Sequence, residues 1–169
     1  MAHHESGIRL VVTADDFGKS EAVNLAVETA HRRGIVTCAS LMVTGEAFDQ
    51  AVRIAKANPD LGVGLHLTLV CGRSCLGHER STGLVDEEGR FADQPVWSGM
   101  RYFFNRDLRS RLADEIAAQF RAFERTGLPM DHVNGHLNIH LHPTVLDLVL
   151  PFVTGRRPVP MRLTRDPFW

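Results

Sequence analysis

Short apolar, β-branched runs recur along the chain, each followed by a stretch with helical spacing. That alternation constrains the fold more than any other feature of the sequence. Residues 9–14 (RLVVTA) read as a strand, DDFG at 15–18 as a loop, and residues 20–33 as a helix with Ala22, Val23, Ala26, Val27 and Ala30 on one face. Ser20 stands where an N-cap is wanted, and Gly34 where a left-handed C-cap is wanted. Residues 35–43 (IVTCASLMV) form a second, nearly continuous apolar run, as expected of a strand covered on both faces; helical spacing over 46–57 follows, ended by Asn58-Pro59. A third strand over 61–70 (LGVGLHLTLV) carries Gly62, Gly64 and a lone histidine, His66. Residues 71–95 have no period and read as a loop over a site. Residues 107–126 are the clearest helix, with Leu108, Leu112, Ile116, Phe120 and Phe123 on one face and Gly127 just past the end. A fourth strand at 129–136, a helix opening at 143–149 and a fifth strand at 159–164 complete the pattern. Repeated βα units predict an α/β fold of parallel strands joined by right-handed crossovers, with reactive groups at the carboxyl ends of the strands.

The 169 residues fit one domain, 1–169, and a hydrophobic share of 44% is enough for a core without disulfides. A net charge of -1 provides no basic field, so nucleic acid is not the expected partner. No apolar run approaches the roughly 18 residues of a membrane span. Three cysteines, with His3, His4 and Glu5 interrupting any apolar leader, fit a reduced, cytoplasmic setting. Cys71 and Cys75 resemble half of a zinc clip, but no second cysteine pair completes it.

Asp15 and Asp16 stand directly after the first strand. An isolated pair of this kind is ordinarily a helix cap and a solvated neighbour, and a lone histidine such as His66 is ordinarily a buried, hydrogen-bonded residue. The fourth strand changes that balance, because NGHLNIHLHP at 134–143 gathers His136, His140 and His142 with Asn134 and Asn138 at another carboxyl end. One carboxylate and two imidazoles from three strands suit Zn²⁺ first, with Mg²⁺, Mn²⁺, Co²⁺ or Fe²⁺ as alternatives, and leave positions open for water. Such an ion acidifies water and polarises a carbonyl, and a second aspartate outside the ligand set can act as general base. A metal-dependent phosphoesterase would use similar groups, but no glycine-rich phosphate loop or arginine cluster is visible in the sequence.

TADDFG at 13–18, GLHL at 64–67 and NGHLNIHLHP at 134–143 resemble the YdjC-type carbohydrate deacetylases, in the same order and spacing. DHVNGHLNIHLHPTV, RYFF and AQFRAF resemble most closely the hopanoid-biosynthesis-associated branch. The resemblance implies a distorted TIM-type (β/α) barrel, with Asp16, His66 and His136 as metal ligands and Asp15 as general base. Asn134, Asn138 and His140 would then contact substrate or orient the ligands. It also implies that the chain stops short of a C-terminal part carrying a further histidine that protonates the leaving amine. The implied reaction removes acetate from an N-acetylglucosaminyl hopanoid at the inner membrane face; Asn134 and Asn138 replace an aspartate and a histidine common in the chitooligosaccharide branch. An open sheet implies a homo-oligomer. The rival reading is a family remnant that binds metal and sugar without hydrolysis.

Overall fold

The computed structural model describes residues 10–155 and 157–164. The first nine residues, with Arg9 at the expected start of the first strand, lie outside the described residues, as do residues 165–169 at the chain's end. Four strands, β1 (Thr13–Phe17), β2 (Cys38–Leu41), β3 (Gly62–Leu67) and β4 (Val133–Gly135), pair in sequence order, every pair parallel. Sequential order, given the right-handed crossovers usual between parallel strands, places the connecting helices on one face of the sheet.

The two faces differ accordingly. Ala39, Leu41, Val63, Leu65, Leu67 and Val133 form the core with the helices. The other face carries Ser40, Gly64, His66 and Asn134, with Ser40 in register with Gly64 and His66 with Asn134. Strand β2 is buried on both faces, as expected of the run at 35–43, with Cys38 and Ser40 on one side and Ala39 and Leu41 on the other.

Helix α1 (Glu21–Arg33) starts as expected, Ser20 Oγ accepting from Val23 N at 3.3 Å. Gly34 is not left-handed (φ -125°); Val36 N donating to Ala30 O closes that end instead. Helix α2 (Phe48–Ala57) follows, and Gly127 does adopt φ +72° past the long helix. The segment read as a structureless loop contains helix α3 (Gly77–Arg80) and bridges joining Arg73 to Arg90 and Val85 to Phe91. A helix the sequence reading missed, α4 (Pro95–Phe104), comes next; Pro95 suits its first turn and Tyr102 Oη donates to Leu69 O at 2.7 Å.

Helix α5 (Leu108–Glu124) buries Leu108, Leu112, Ile116, Phe120 and Phe123 as its spacing predicts, and also Glu115 and Gln119. Gln119 clasps the backbone of Thr68, accepting from its N and donating to its O, which steadies the end of β3 just past His66. Glu115 accepts from Ser74 Oγ, Cys75 N and Leu76 N, which pins the start of the 71–95 segment. After β4 come a 3-10 helix (His136–Leu141) and α6 (Pro143–Val153). The expected fifth strand contracts to one bridge, Val133 to Met161, flanked by Val133 N to Pro160 O and Arg162 N to Val133 O.

Candidate metal centre

The first strand does not stop before the aspartates. It pairs regularly at Thr13 and Ala14, loses register, and resumes at Phe17, with Asp15 and Asp16 inside the irregularity. Asp16 has φ +61°, a left-handed conformation that aspartate tolerates better than most side chains. Consecutive strand residues ordinarily point to opposite faces; the bulge re-aims them, so Asp15 reaches Asn134 while Asp16 reaches two histidines. Gly18, at φ +97°, completes the turn, and its N donates to Asn24 Oδ1 at 2.7 Å. Buried Asn24 in turn donates to Ala47 O and Gln50 Oε1, so the strained turn is tied to the start of α2.

Three donor atoms converge there. His136 Nδ1 lies 2.8 Å and His66 Nε2 3.1 Å from Asp16 Oδ1, and the ligand atoms of the three residues lie within 4.8 Å of one another. Lys19 Nζ holds the other oxygen of Asp16 at 2.9 Å. The hydrogen bonds of His136, His66 and Lys19, against the cost of burial, keep Asp16 far below the usual carboxylate range.

Asn134 decides what His66 presents. Its Nδ2 hydrogens go to Asp15 Oδ1 at 3.0 Å and Ser40 Oγ at 2.9 Å, which leaves Oδ1 to accept from His66 Nδ1 at 2.7 Å. Neutral His66 then turns the Nε2 lone pair toward a carboxylate oxygen. That lone pair faces Asp16 Oδ1 at 3.1 Å, a contact that an Nε2–H bridges when the ring is protonated and that a bound cation would bridge when it is not. This O/N/N donor set fits a divalent metal, which Asp16, His66 and His136 would hold.

Asp15 stands beside this set, in a bidentate pair with Arg162 at 2.6 and 2.9 Å. Burial pushes its carboxyl up, but Arg162, His66 and Asn134 together bring it below the ordinary value of 3.8. His140 is fully buried, with Nε2 donating to Arg162 O at 2.9 Å, and burial lowers its pKa. Leu137 and Asn138 are consecutive left-handed residues that turn outward after His136, and Asn138 lines an apolar groove with Val96, Phe103, Phe104 and Leu137.

Of the seven residues singled out in the sequence, Asp15, Asp16, His66, Asn134 and His136 meet in one network, His140 reaches it through Arg162, and Asn138 faces the groove. The sequence reading missed Arg162, Ser40, Lys19 and Asn24. Arg162 was detectable as the lone cation in an apolar run at 159–163, and Ser40 as a hydroxyl at an alternating position in 35–43. Cys71 and Cys75 belong to neither of the two potential ligand groups found among the described residues.

A model of the family described as YdjC-like protein matches residues 9–169. The chain belongs to this family. Among the relatives of this YdjC-like chain, the carbohydrate deacetylase of Brevibacillus brevis is 41% identical over 157 residues, covering 92% of this chain and 59% of the relative. The carbohydrate deacetylase of Geobacillus stearothermophilus is 37% identical over 140 residues, covering 82% of this chain and 53% of the relative. The YdjC-like chain therefore spans somewhat more than half the length of these relatives. A crystal structure from Enterococcus faecalis V583, described as a candidate cellobiose-phosphate cleavage protein, matches with a TM-score of 0.77 at 29% identity, over 93% of this chain and 59% of that one.

Proposed function

We propose that this YdjC-like chain carries the metal centre of a hydrolase that removes the N-acetyl group from an N-acetylglucosamine-type sugar on a hopanoid lipid. The observation that carries this reading is the facing of Asp16 Oδ1 by His66 Nε2 and His136 Nδ1, next to a second carboxylate outside the ligand set. A divalent cation, Zn²⁺ first, supplies Lewis acidity at the amide carbonyl and acidifies water when bound. Asp15 takes up a water proton on its carboxylate, while Arg162 aims that carboxylate and keeps it ionised. The water oxygen bonds to the amide carbon, the C–N bond breaks, acetate leaves, and the nitrogen takes up a proton to give the free amine of the sugar. Asn134 and His140, both fully buried, act by orienting His66, Asp15 and Arg162, whereas exposed Asn138 is placed to touch substrate.

The lipid-linked substrate is supported by the groove beside Asn138, about 650 Å³, whose wall includes Val96 and Phe104, each 78% exposed. No helix among the described residues is long and apolar enough to cross a membrane; the proposed setting, which follows from a lipid-linked substrate, is the cytoplasmic face of the inner membrane. The exposed apolar residues also support a homo-oligomer.

Acetate release from an N-acetylglucosaminyl hopanoid and from chitooligosaccharides, with Zn²⁺ added, tests the proposal. Release from the lipid-linked sugar is expected. Release from chitooligosaccharides alone would move the substrate to that class, and zinc bound at Asp16 without release from either would mark a non-hydrolytic remnant.

A further inference from the structure

Behind the candidate metal centre, the inner face of the sheet holds a second line of hydrogen bonds. His132 Nδ1 lies 2.9 Å from Asp131 Oδ2, and His132 Nε2 lies 2.8 Å from Ser40 Oγ. Ser40 Oγ is also the acceptor for Asn134 Nδ2 at 2.9 Å. Ser40 and Asn134 are fully buried, the His132 side chain is 12% exposed, and that of Asp131 is 51% exposed, so the line runs from the surface to the centre.

Each proton in the line is assigned by its neighbour. Asn134 gives one hydrogen to Asp15 and one to Ser40. The Asp131 carboxylate can only accept, so His132 carries its proton on Nδ1 and donates it there; the neutral ring then presents Nε2 as the acceptor for the Ser40 hydroxyl hydrogen. The sheet is built to admit these side chains. A Cβ at Gly64 would lie 2.6 Å from ring atoms of His132 and 2.4 Å from its carbonyl oxygen, and one at Gly62 would lie 3.0 Å from the Asp131 carboxyl carbon. Asp131, His132 and Ser40 have the partners of a nucleophilic triad, but Ser40 is buried and its oxygen already accepts from Asn134, so no substrate reaches it.

We propose that Asp131, His132 and Ser40 form a positioning relay that locks the Asn134 carboxamide and thereby fixes the tautomer of His66 and the orientation of Asp15. The relay rests on reading Asp16, His66 and His136 as metal ligands and Asp15 as the base. Without the Ser40 hydroxyl, one buried N–H of Asn134 loses its partner, and with it one of the bonds that hold the amide against rotation.

Nitrogen-15 NMR of the histidine-labelled, metal-free chain at neutral to alkaline pH reads both tautomers directly. His66 and His132 are each expected as the Nδ1–H form; an Nε2–H form of either overturns the relay, and this result needs no variant. Ser40→Ala is expected to convert His66 to a tautomer mixture and to weaken zinc binding about 10–100-fold, the usual size of an outer-shell effect on a metal site. Zinc binding at parental strength with His66 still purely Nδ1–H would overturn it. So would a second zinc equivalent lost on Cys38→Ser, because Cys38 shares a 4.8 Å ligand neighbourhood with Asp131 and His132, which would then serve as ligands. The metal-centre reading fails separately, if Asp16→Ala leaves zinc binding unchanged, and the tautomers of the metal-free chain are read whether or not zinc binds.

Discussion

Asp15 and Asp16 are neighbours in the chain with different surroundings, and their chemistry divides accordingly. Asp16 is enclosed by His136, His66 and Lys19, whereas Asp15 is gripped by Arg162 and Asn134. Arg162 supplies much of the pull that keeps Asp15 below 3.8, so Arg162→Met is expected to raise the Asp15 pKa, followed by carbon-13 NMR of its carboxyl; an unchanged or lower value would contradict the pairing. The sign for stability follows from the lowered folded value: this contribution is complete above 3.8 and lost as pH falls through the folded pKa. His140 acts from the other side of neutrality. Its folded pKa lies below 6.5, so the unfolded chain binds the proton first and stability falls as pH drops below 6.5. His140→Gln is expected to flatten that fall in urea midpoints measured between pH 7 and 5; an equally steep fall would rule His140 out as its source. The residues proposed as ligands and base were legible as a group because three short motifs interrupt apolar runs with side chains that strands rarely carry. Arg162 and Ser40 were not singled out, because their roles depend on partners 147 and 94 residues away in the chain.

The elements with strong 3.6-residue spacing, α1 and α5, were read nearly to their ends, since burying one face of a helix leaves a direct imprint on sequence. Leu112 and Ile116 are fully buried on α5, and Leu112→Ala is expected to cost about 2–5 kcal/mol in chemical denaturation; a loss under about 1 kcal/mol would contradict a packed helix–sheet core. Helix α4 escaped notice because PVWSGMRYFF is apolar on nearly every side, with Trp97, Phe103 and Phe104 exposed and only Ser98 and Tyr102 buried. The 71–95 segment lacks a period because a carboxylate on α5, rather than its own side chains, organises it. Glu115→Ala is therefore expected to speed amide exchange at Cys75 and Leu76 while α1 keeps its protection; unchanged exchange at those two amides would contradict the anchoring. Strand β1 runs on through Asp15 and Asp16, where the poor strand propensity of aspartate suggests a loop, because a bulge accommodates what propensity disfavours.

For the whole molecule, sequential parallel pairing with helices to one side leaves an inner face of polar groups, and the candidate centre is built where β1, β3 and β4 end on it. The alternation of apolar runs and helical stretches specified this layout, but the sequence did not show that the inner face is a continuous hydrogen-bonded network, because each of its members is isolated in its own strand. The exposed apolar residues of α4 and the residue after His136 lead us to expect self-association, and a monodisperse monomer in sedimentation at micromolar concentration would contradict it. The central claim is the metal centre itself. Anomalous scattering from a zinc-soaked crystal tests it most directly: the account predicts one peak among Asp16 Oδ1, His66 Nε2 and His136 Nδ1, with Asp15 beside it and bound to Arg162. A crystal with no peak there, or with zinc elsewhere while those three side chains keep only their mutual contacts, would contradict it.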